Sequence, residues 1–387
     1  MPLLTRIVET QVLSGLQTNK VVMLLGPRRV GKTVLLEQII KKSKEPHILL
    51  NGEDLAAQEL LERRTIAHYK STFSSIRLLV IDEAQKIPDI GAKLKLMVDH
   101  VEGLKILVSG SSAFDLQQHT GEPLTGRKIT LNLFALAEQE YDSVENILER
   151  KDRMNDRLVY GNYPELLSIR SNTGKAAYLR ELVNDYLLKD ILAIDGIKAS
   201  DKMLALLRLI AFQVGQEVSH HELGRQLNMS KNTVEKYLDL LAKLFVIYRI
   251  GGFSKNLRKE VSKSSRWYFH DNGLRNTLIA NFNPLSARND QGVLWENYMI
   301  SERIKFQHYH SVFSSNYFWR TYDQQEIDWV EEREGQLFAY EFKWNDEKKP
   351  KTPVAWAQAY PEAAFRVIHP GNYAEWVRPE FMEASAL

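Results

Sequence analysis

Three apolar runs of strand length punctuate the first third of the chain, each ending in glycine, serine or acid. VVMLL (Val21–Leu25) runs into GPRRVGKT and then into VLLEQIIKK, whose apolar positions recur at helical spacing. LLVI (78–81) ends in Asp82 and Glu83, and LKILV (104–108) ends in SGSS. Strand, loop and helix in this order predict an α/β domain built on a parallel sheet. From 137 to about 198 the pattern is helical, interrupted by YGNYPELL. Residues 202–214 are amphipathic, and 219–227 open with a capping Ser219 followed three positions later by Glu222. After a turn at Asn228 and Met229, Ser230 begins SKNTVEKYLDLLAKLFVI. Two helices joined by a short turn form a helix-turn-helix pattern, and VIYRIGGF and SRWYFHD around a basic turn extend it to a winged helix. Near the C-terminus, WRTYDQQEIDWVEEREGQLFAYEFKWN predicts two strands joined by a Glu/Arg/Gly turn.

At 387 residues the chain has room for two to four domains with separate cores, and 26% charged with 10% aromatic residues is globular composition. The absence of cysteine excludes disulfides, iron–sulfur clusters and a thiol nucleophile. A net charge of +2 means that any basic surface is local. No apolar run approaches the roughly 20 residues that cross a bilayer, and the N-terminus carries an early acid without a continuous apolar stretch. The expectation is a cytoplasmic protein with no membrane partner. His220 and His221 are adjacent, which does not place them on one helix face as a metal pair.

The chemistry of the first domain follows from spacing. Gly26, Pro27, Arg28, Arg29, Val30, Gly31, Lys32 and Thr33 fit G-x-x-x-x-G-K-[ST] between a strand and a helix. The two glycines let the backbone curl so that successive N–H groups face phosphates, and the helix N-terminus adds partial positive charge. Lys32 would reach the β- and γ-phosphates of ATP, while Thr33 and Asp82 would hold Mg²⁺. Glu83, directly after Asp82, is placed to orient and deprotonate the attacking water. Ser109 to Ser111 fall at a strand's carboxyl end, where Ser111 either senses the γ-phosphate or caps the next helix.

Two further regions carry chemistry. Between Arg225 and Arg266 lie ten basic residues and three acids, Glu235, Asp239 and Glu260. Lys231, Lys236, Lys255, Arg258, Lys259 and Lys263 are the candidate DNA contacts of this stripe, an electrostatic footprint that also fits a merely solvated or protein-binding face. In the C-terminal hairpin, Asp328 stands on one strand, and Glu341 and Lys343 stand two apart on the next. Period two puts Glu341 and Lys343 on one face, where Asp328 could meet them, giving a carboxylate pair for Mg²⁺ and a lysine to orient or deprotonate water. Glu296, on a predicted helix that begins at Gly292, could complete the set.

GPRRVGKT, LLVIDEAQKIP, KILVSGSSAFDL and PLTGRKITLNLFALAEQE come in the order of the AAA+ ATPases. The chain resembles the bacterial and archaeal group that pairs an AAA_14 ATPase domain with a DUF4143 C-terminal region. The resemblance implies that Arg127 reaches into a neighbouring subunit's site as a finger, in a homo-oligomer such as a hexamer. It implies a helical lid with a Gly-x-Pro element against adenine, read here from Gly161 and Pro164 with one extra residue between them. Pro164 alternatively opens an ordinary helix. The C-terminal hairpin resembles the PD-(D/E)xK nuclease fold, within it the Holliday-junction resolvases. The expected divisions are an ATPase core (1–140), a lid (141–200), a winged helix (201–280) and a restriction-endonuclease-like α/β domain (281–387). The expected function is ATP- and Mg²⁺-dependent binding or remodelling of DNA, branched DNA above all. The alternatives are an ATP-gated nuclease and a nucleotide-dependent switch that binds proteins.

Overall fold

In the computed structural model, which describes residues 4–110, 124–184, 200–254, 264–347 and 350–378, the apolar runs form the buried centre of a parallel sheet. Its strands are β1 (Val21–Leu25), β2 (His47–Asn51), β3 (Leu78–Asp82), β4 (Lys105–Gly110) and β5 (Lys128–Asn132), in the order β2-β3-β4-β1-β5. Every residue of β1 and β3 is buried, as expected for strands covered on both faces, whereas the edge strands β2 and β5 are partly exposed. Helices Lys32–Lys42 and Ile90–His100 each bury one apolar stripe, through Leu35, Leu36 and Ile39 in the first and Ile90, Leu94 and Met97 in the second. Because β4 lies between β1 and β3, Ser109 sits opposite Leu24 of β1, and its other neighbour strand ends at Asp82. The strand order therefore gathers Gly26, Asp82 and Ser109 at one edge.

A second unit holds residues 136–242 and the chain from 246 onward, while 243–245 belong with the first. The four divisions read from the sequence are finer than these two. Helices Ser200–Phe212, His220–Leu227 and Lys231–Lys243 precede an antiparallel pair, β6 (Ile247–Gly252) and β7 (Ser265–Phe269). Ser219 caps the middle helix by accepting a bond from the Glu222 N–H, and Asn228 ends it in the left-handed region. The later strands are β8 (Ser315–Arg320), β9 (Glu326–Arg333), β10 (Gln336–Phe342) and β11 (Ala364–Ile368). They continue the same sheet, in the order β11-β10-β9-β8-β6-β7, with Gly251 and Gly252 of β6 opposite Tyr317 and Phe318 of β8. The expected hairpin is β9–β10, turned by Glu334 and Gly335, both at positive φ, the geometry that matches strand twist.

Helix Gln291–Tyr309 is buried nearly all round, so its polar side chains need internal partners. They have them. Asn297 bonds both the N–H and the carbonyl of Phe269, and Arg303 grips Glu331 through two bonds of 2.6 and 2.9 Å. This helix and β9–β10 frame the C-terminal acids.

Candidate functional site

The phosphate loop is held from behind. A Cβ at Gly26 would lie 2.0 Å from the carbonyl oxygen of Leu133, so only glycine fits there. Gly31 and Arg29 both adopt positive φ, which curls the loop. The buried Arg6 donates to the carbonyls of Val30 (2.6 Å) and Phe134 (2.7 Å), clamping the loop to the residues that follow β5. Lys32 is buried at the loop's end, where its Nζ donates to the carbonyls of Gly26 (3.0 Å) and Pro27 (2.8 Å).

Across the loop, Asp82 is the hub. Its Oδ2 accepts the Thr33 hydroxyl at 2.6 Å, and its Oδ1 accepts the Ser109 hydroxyl and the Glu83 N–H. Two oxygen donors, Thr33 and Asp82, thus stand together at the start of the loop's helix, a donor set suited to Mg²⁺. Glu83 takes the left-handed conformation (φ 50°), which costs about 1 kcal/mol or more for a non-glycine residue. Gly52 allows the close approach this requires, since a Cβ there would sit 2.3 Å from the Glu83 carbonyl oxygen. The Glu83 carboxylate is half-buried and accepts the Gln85 amide at 2.5 Å. Lys32, Thr33, Asp82 and Glu83 therefore converge, joined by Ser109 as the oxygen between strands. Ser111 lies outside the described residues.

Arg127 immediately precedes β5, its carbonyl accepting the Val21 N–H, at the end of the sheet opposite the phosphate loop, which follows Leu25. The five residues of β1, about 16 Å, separate it from its own loop. Its side chain is 41% exposed and pairs with Asp99 at 2.5 Å.

Gly161 and Pro164 lie in the second unit. Gly161 has φ 78°, and a Cβ there would meet Asp271 Oδ1 at 2.0 Å. Asp271 accepts the Asn162 N–H and caps helix Asn272–Leu278. Pro164 opens a single 3-10 turn, Pro164–Leu167.

Among the candidate DNA contacts, Lys231 and Lys236 are exposed, whereas Lys255, Arg258, Lys259 and Lys263 lie outside the described residues. One member of the basic stripe is withdrawn from solvent. Arg266 is buried on β7 and bonds Glu326 at 2.8 Å.

The C-terminal residues lie on neighbouring elements. Glu341 belongs to β10 and Lys343 follows its end; the Lys343 Nζ bonds Glu341 Oε1 at 2.5 Å. Asp328 of β9 reaches across the hairpin, its Oδ2 accepting the Phe342 N–H at 2.9 Å. Glu296 of helix Gln291–Tyr309 accepts the Tyr268 hydroxyl at 2.7 Å. Burial, with the charge of Asp328, pushes Glu296 up to about 8 and Glu341 up to about 7. Burial also raises Asp328. The sequence reading missed Arg266 and Tyr268, which enter this cluster from β7, and Arg6 at the phosphate loop.

The fold and the loop define a P-loop ATPase. The family model described as an AAA domain matches residues 18–142, and two domains of unknown function match 151–285 (DUF8612) and 291–384 (DUF4143). The chain is an AAA-like P-loop ATPase of the group that joins an AAA domain to DUF4143. An uncharacterized protein of Mycobacterium tuberculosis is 28% identical over 335 residues, spanning 85% of this chain and 71% of that one. Another, from Methanocaldococcus jannaschii, is 24% identical over 306 residues, spanning 73% and 66%. Among solved structures, the Walker-type ATPase PABY2304 of Pyrococcus abyssi is 18% identical with a TM-score of 0.48, covering 72% of this chain and 96% of that one. The Pif1 helicase of Candida albicans is 18% identical with a TM-score of 0.28, covering 51% and 56%. No helix among the described residues is long and apolar enough to cross a membrane.

Proposed function

We propose that this protein hydrolyses ATP as a homo-oligomer and uses the cycle to bind or remodel DNA, with branched DNA as its substrate class. The observation that carries the ATPase half is the convergence of Lys32, Thr33, Asp82, Glu83 and Ser109 at the carboxyl ends of β1, β3 and β4. Lys32 exchanges its two loop carbonyls for phosphate oxygens, trading neutral partners for charged ones. Thr33 and Asp82 would hold Mg²⁺, which would offset phosphate charge. Glu83, steadied by Gln85, orients the attacking water and accepts its proton. Ser109 fixes the Asp82 carboxylate so that its other oxygen faces Thr33. Arg127 cannot serve its own loop from the far end of the sheet, so its part is played in the site of a second copy.

The DNA half is supported by charge. Arg225, Lys231, Lys236 and Lys243 are exposed along the helix pair, and the sequence between β6 and β7 carries Lys255, Arg258, Lys259 and Lys263. These residues suit phosphate contact and confer no base readout. Binding to duplex, single-stranded and four-way-junction DNA across a salt series tests the reading. Affinity should fall steeply with salt, with a log–log slope of about −3 or steeper, and should be highest for the junction. Lys231→Gln with Lys236→Gln should flatten that slope by about two. Salt-independent association would favour a protein-binding switch instead.

A further inference from the structure

We infer that Arg266 is the resident cation of the Glu296–Asp328–Glu341 cluster, and that this site takes no divalent metal while the arginine is in place. The inference rests on the nuclease-like reading of that cluster and is independent of the ATPase and DNA-binding readings. A nuclease of this fold needs a metal ion among its acids, so the first question is whether these residues leave room for one. They do not. The Arg266 guanidinium bonds Glu326 Oε2 at 2.8 Å and lies 3.9 Å from Asp328 Oδ1. It rests on the Phe318 ring, 4.5 Å from its centroid, with a side chain only 5% exposed.

One oxygen of each carboxylate is engaged as well, while Glu341 Oε2 is buried without a hydrogen-bond partner. Asp328 Oδ2 is taken by the Phe342 N–H, Glu341 Oε1 by Lys343 and Glu296 Oε1 by Tyr268. Gly215 closes the side of Glu296, because a Cβ there would lie 2.8 Å from Oε1. A divalent ion demands oxygen ligands within roughly 2.0–2.6 Å of one point. Among the described residues no three acids or histidines are grouped to provide this. Arg266 and Lys343 instead supply positive charge within the cluster. A guanidinium suits this position because it stays charged when buried and satisfies several oxygens at once.

The same strand explains why the arginine is there. β7 pairs with β6, and β6 with β8, so one sheet carries Arg266 to Glu326 and Asp328 of β9. An arginine that composition assigns to a DNA-facing stripe is thereby committed to an interior role.

Mn²⁺ binding to the full chain without nucleotide, followed by the electron paramagnetic resonance of free Mn²⁺, tests this. The signal that counts is the part lost on Asp328→Asn, which separates this cluster from Thr33 and Asp82. Wild type and Asp328→Asn should bind Mn²⁺ alike. Arg266→Gln should gain a site roughly tenfold tighter or more than any wild-type binding there, because a unit charge a few ångströms away is removed. That site should vanish in the Arg266→Gln, Asp328→Asn double variant and be absent in Arg266→Lys, which keeps the charge. Wild-type Mn²⁺ binding that Asp328→Asn abolishes would overturn the inference, and so would a folded Arg266→Gln chain that gains nothing. Should Arg266→Gln fail to fold, Arg266→Met replaces it, and the wild-type comparison decides by itself. ATP turnover by these variants is a separate readout, so a failed inference leaves the ATPase reading standing.

Discussion

The phosphate loop and the C-terminal cluster use the same residue types, acid and lysine at the ends of β-strands, yet they are set up for opposite ends. At the loop, Lys32 is bonded to neutral carbonyls and Asp82 to hydroxyls, partners that charged phosphates and Mg²⁺ can displace. In the C-terminal cluster, Arg266 and Lys343 are already bonded to carboxylates, and one member of each pair, Arg266 and Glu341, is largely withdrawn from solvent. Separating such a pair leaves the charge of its buried member uncompensated, so that site resists exchange. Residue types announce a possible site, and the partners they hold at rest decide whether it is open.

The largest effects should fall on the open site. Lys32→Ala should abolish tight ATP binding, and Glu83→Gln should preserve binding while lowering turnover by about 10²–10⁴-fold, measured by nucleotide binding and steady-state phosphate release. Arg127→Ala should bind ATP without turning it over, and mixing it with Glu83→Gln subunits should restore partial activity. A fully active, concentration-independent monomer would remove the finger from the account.

Arg6→Ala comes next. It leaves the Val30 and Phe134 carbonyls without their arginine and should cost about 1–3 kcal/mol of stability. With the loop less well held, KM for ATP should rise roughly several-fold with a smaller change in kcat.

A pH-dependent effect sharpens the contrast from the closed site. Folded Glu296 keeps its proton up to about pH 8, whereas an unfolded glutamate releases it near 4.5. The native state holds the extra proton in that window, so stability falls as pH rises through it and levels off above. Glu296→Gln cannot titrate, and its unfolding free energy relative to wild type should climb between about pH 5 and 8, by at most about 1.4 kcal/mol per pH unit, measured by denaturant unfolding across that range. A difference that stays constant with pH would mean that Glu296 is ionised throughout.

Much of the nucleotide site was legible because it is local. Gly26 to Thr33 and Asp82–Glu83 each sit at the end of an apolar run, and their spacing alone fixes what the backbone must do. Arg6 was not legible, since it acts on carbonyls 24 and 128 positions away. The β9–β10 hairpin, with Asp328, Glu341 and Lys343, could be read from alternation and the Glu334–Gly335 turn. The pairing of β6 with β8 could not, because it joins glycines at 251 and 252 to residues more than sixty positions on. That pairing is also why charge counting misplaced Arg266. A basic residue in a stripe reads as exposed until the sheet that buries it is known.

This chain is expected to turn over ATP and to leave any DNA it binds uncut. The most direct test incubates the purified full-length protein with labelled four-way-junction DNA, ATP and either Mg²⁺ or Mn²⁺, measuring phosphate release and strand cleavage in the same tubes. ATP should be consumed in a Glu83-dependent manner, with the DNA shifted in mobility and every strand intact. Metal-dependent strand scission that disappears in Asp328→Ala would contradict the claim and make the C-terminal cluster a second catalytic site.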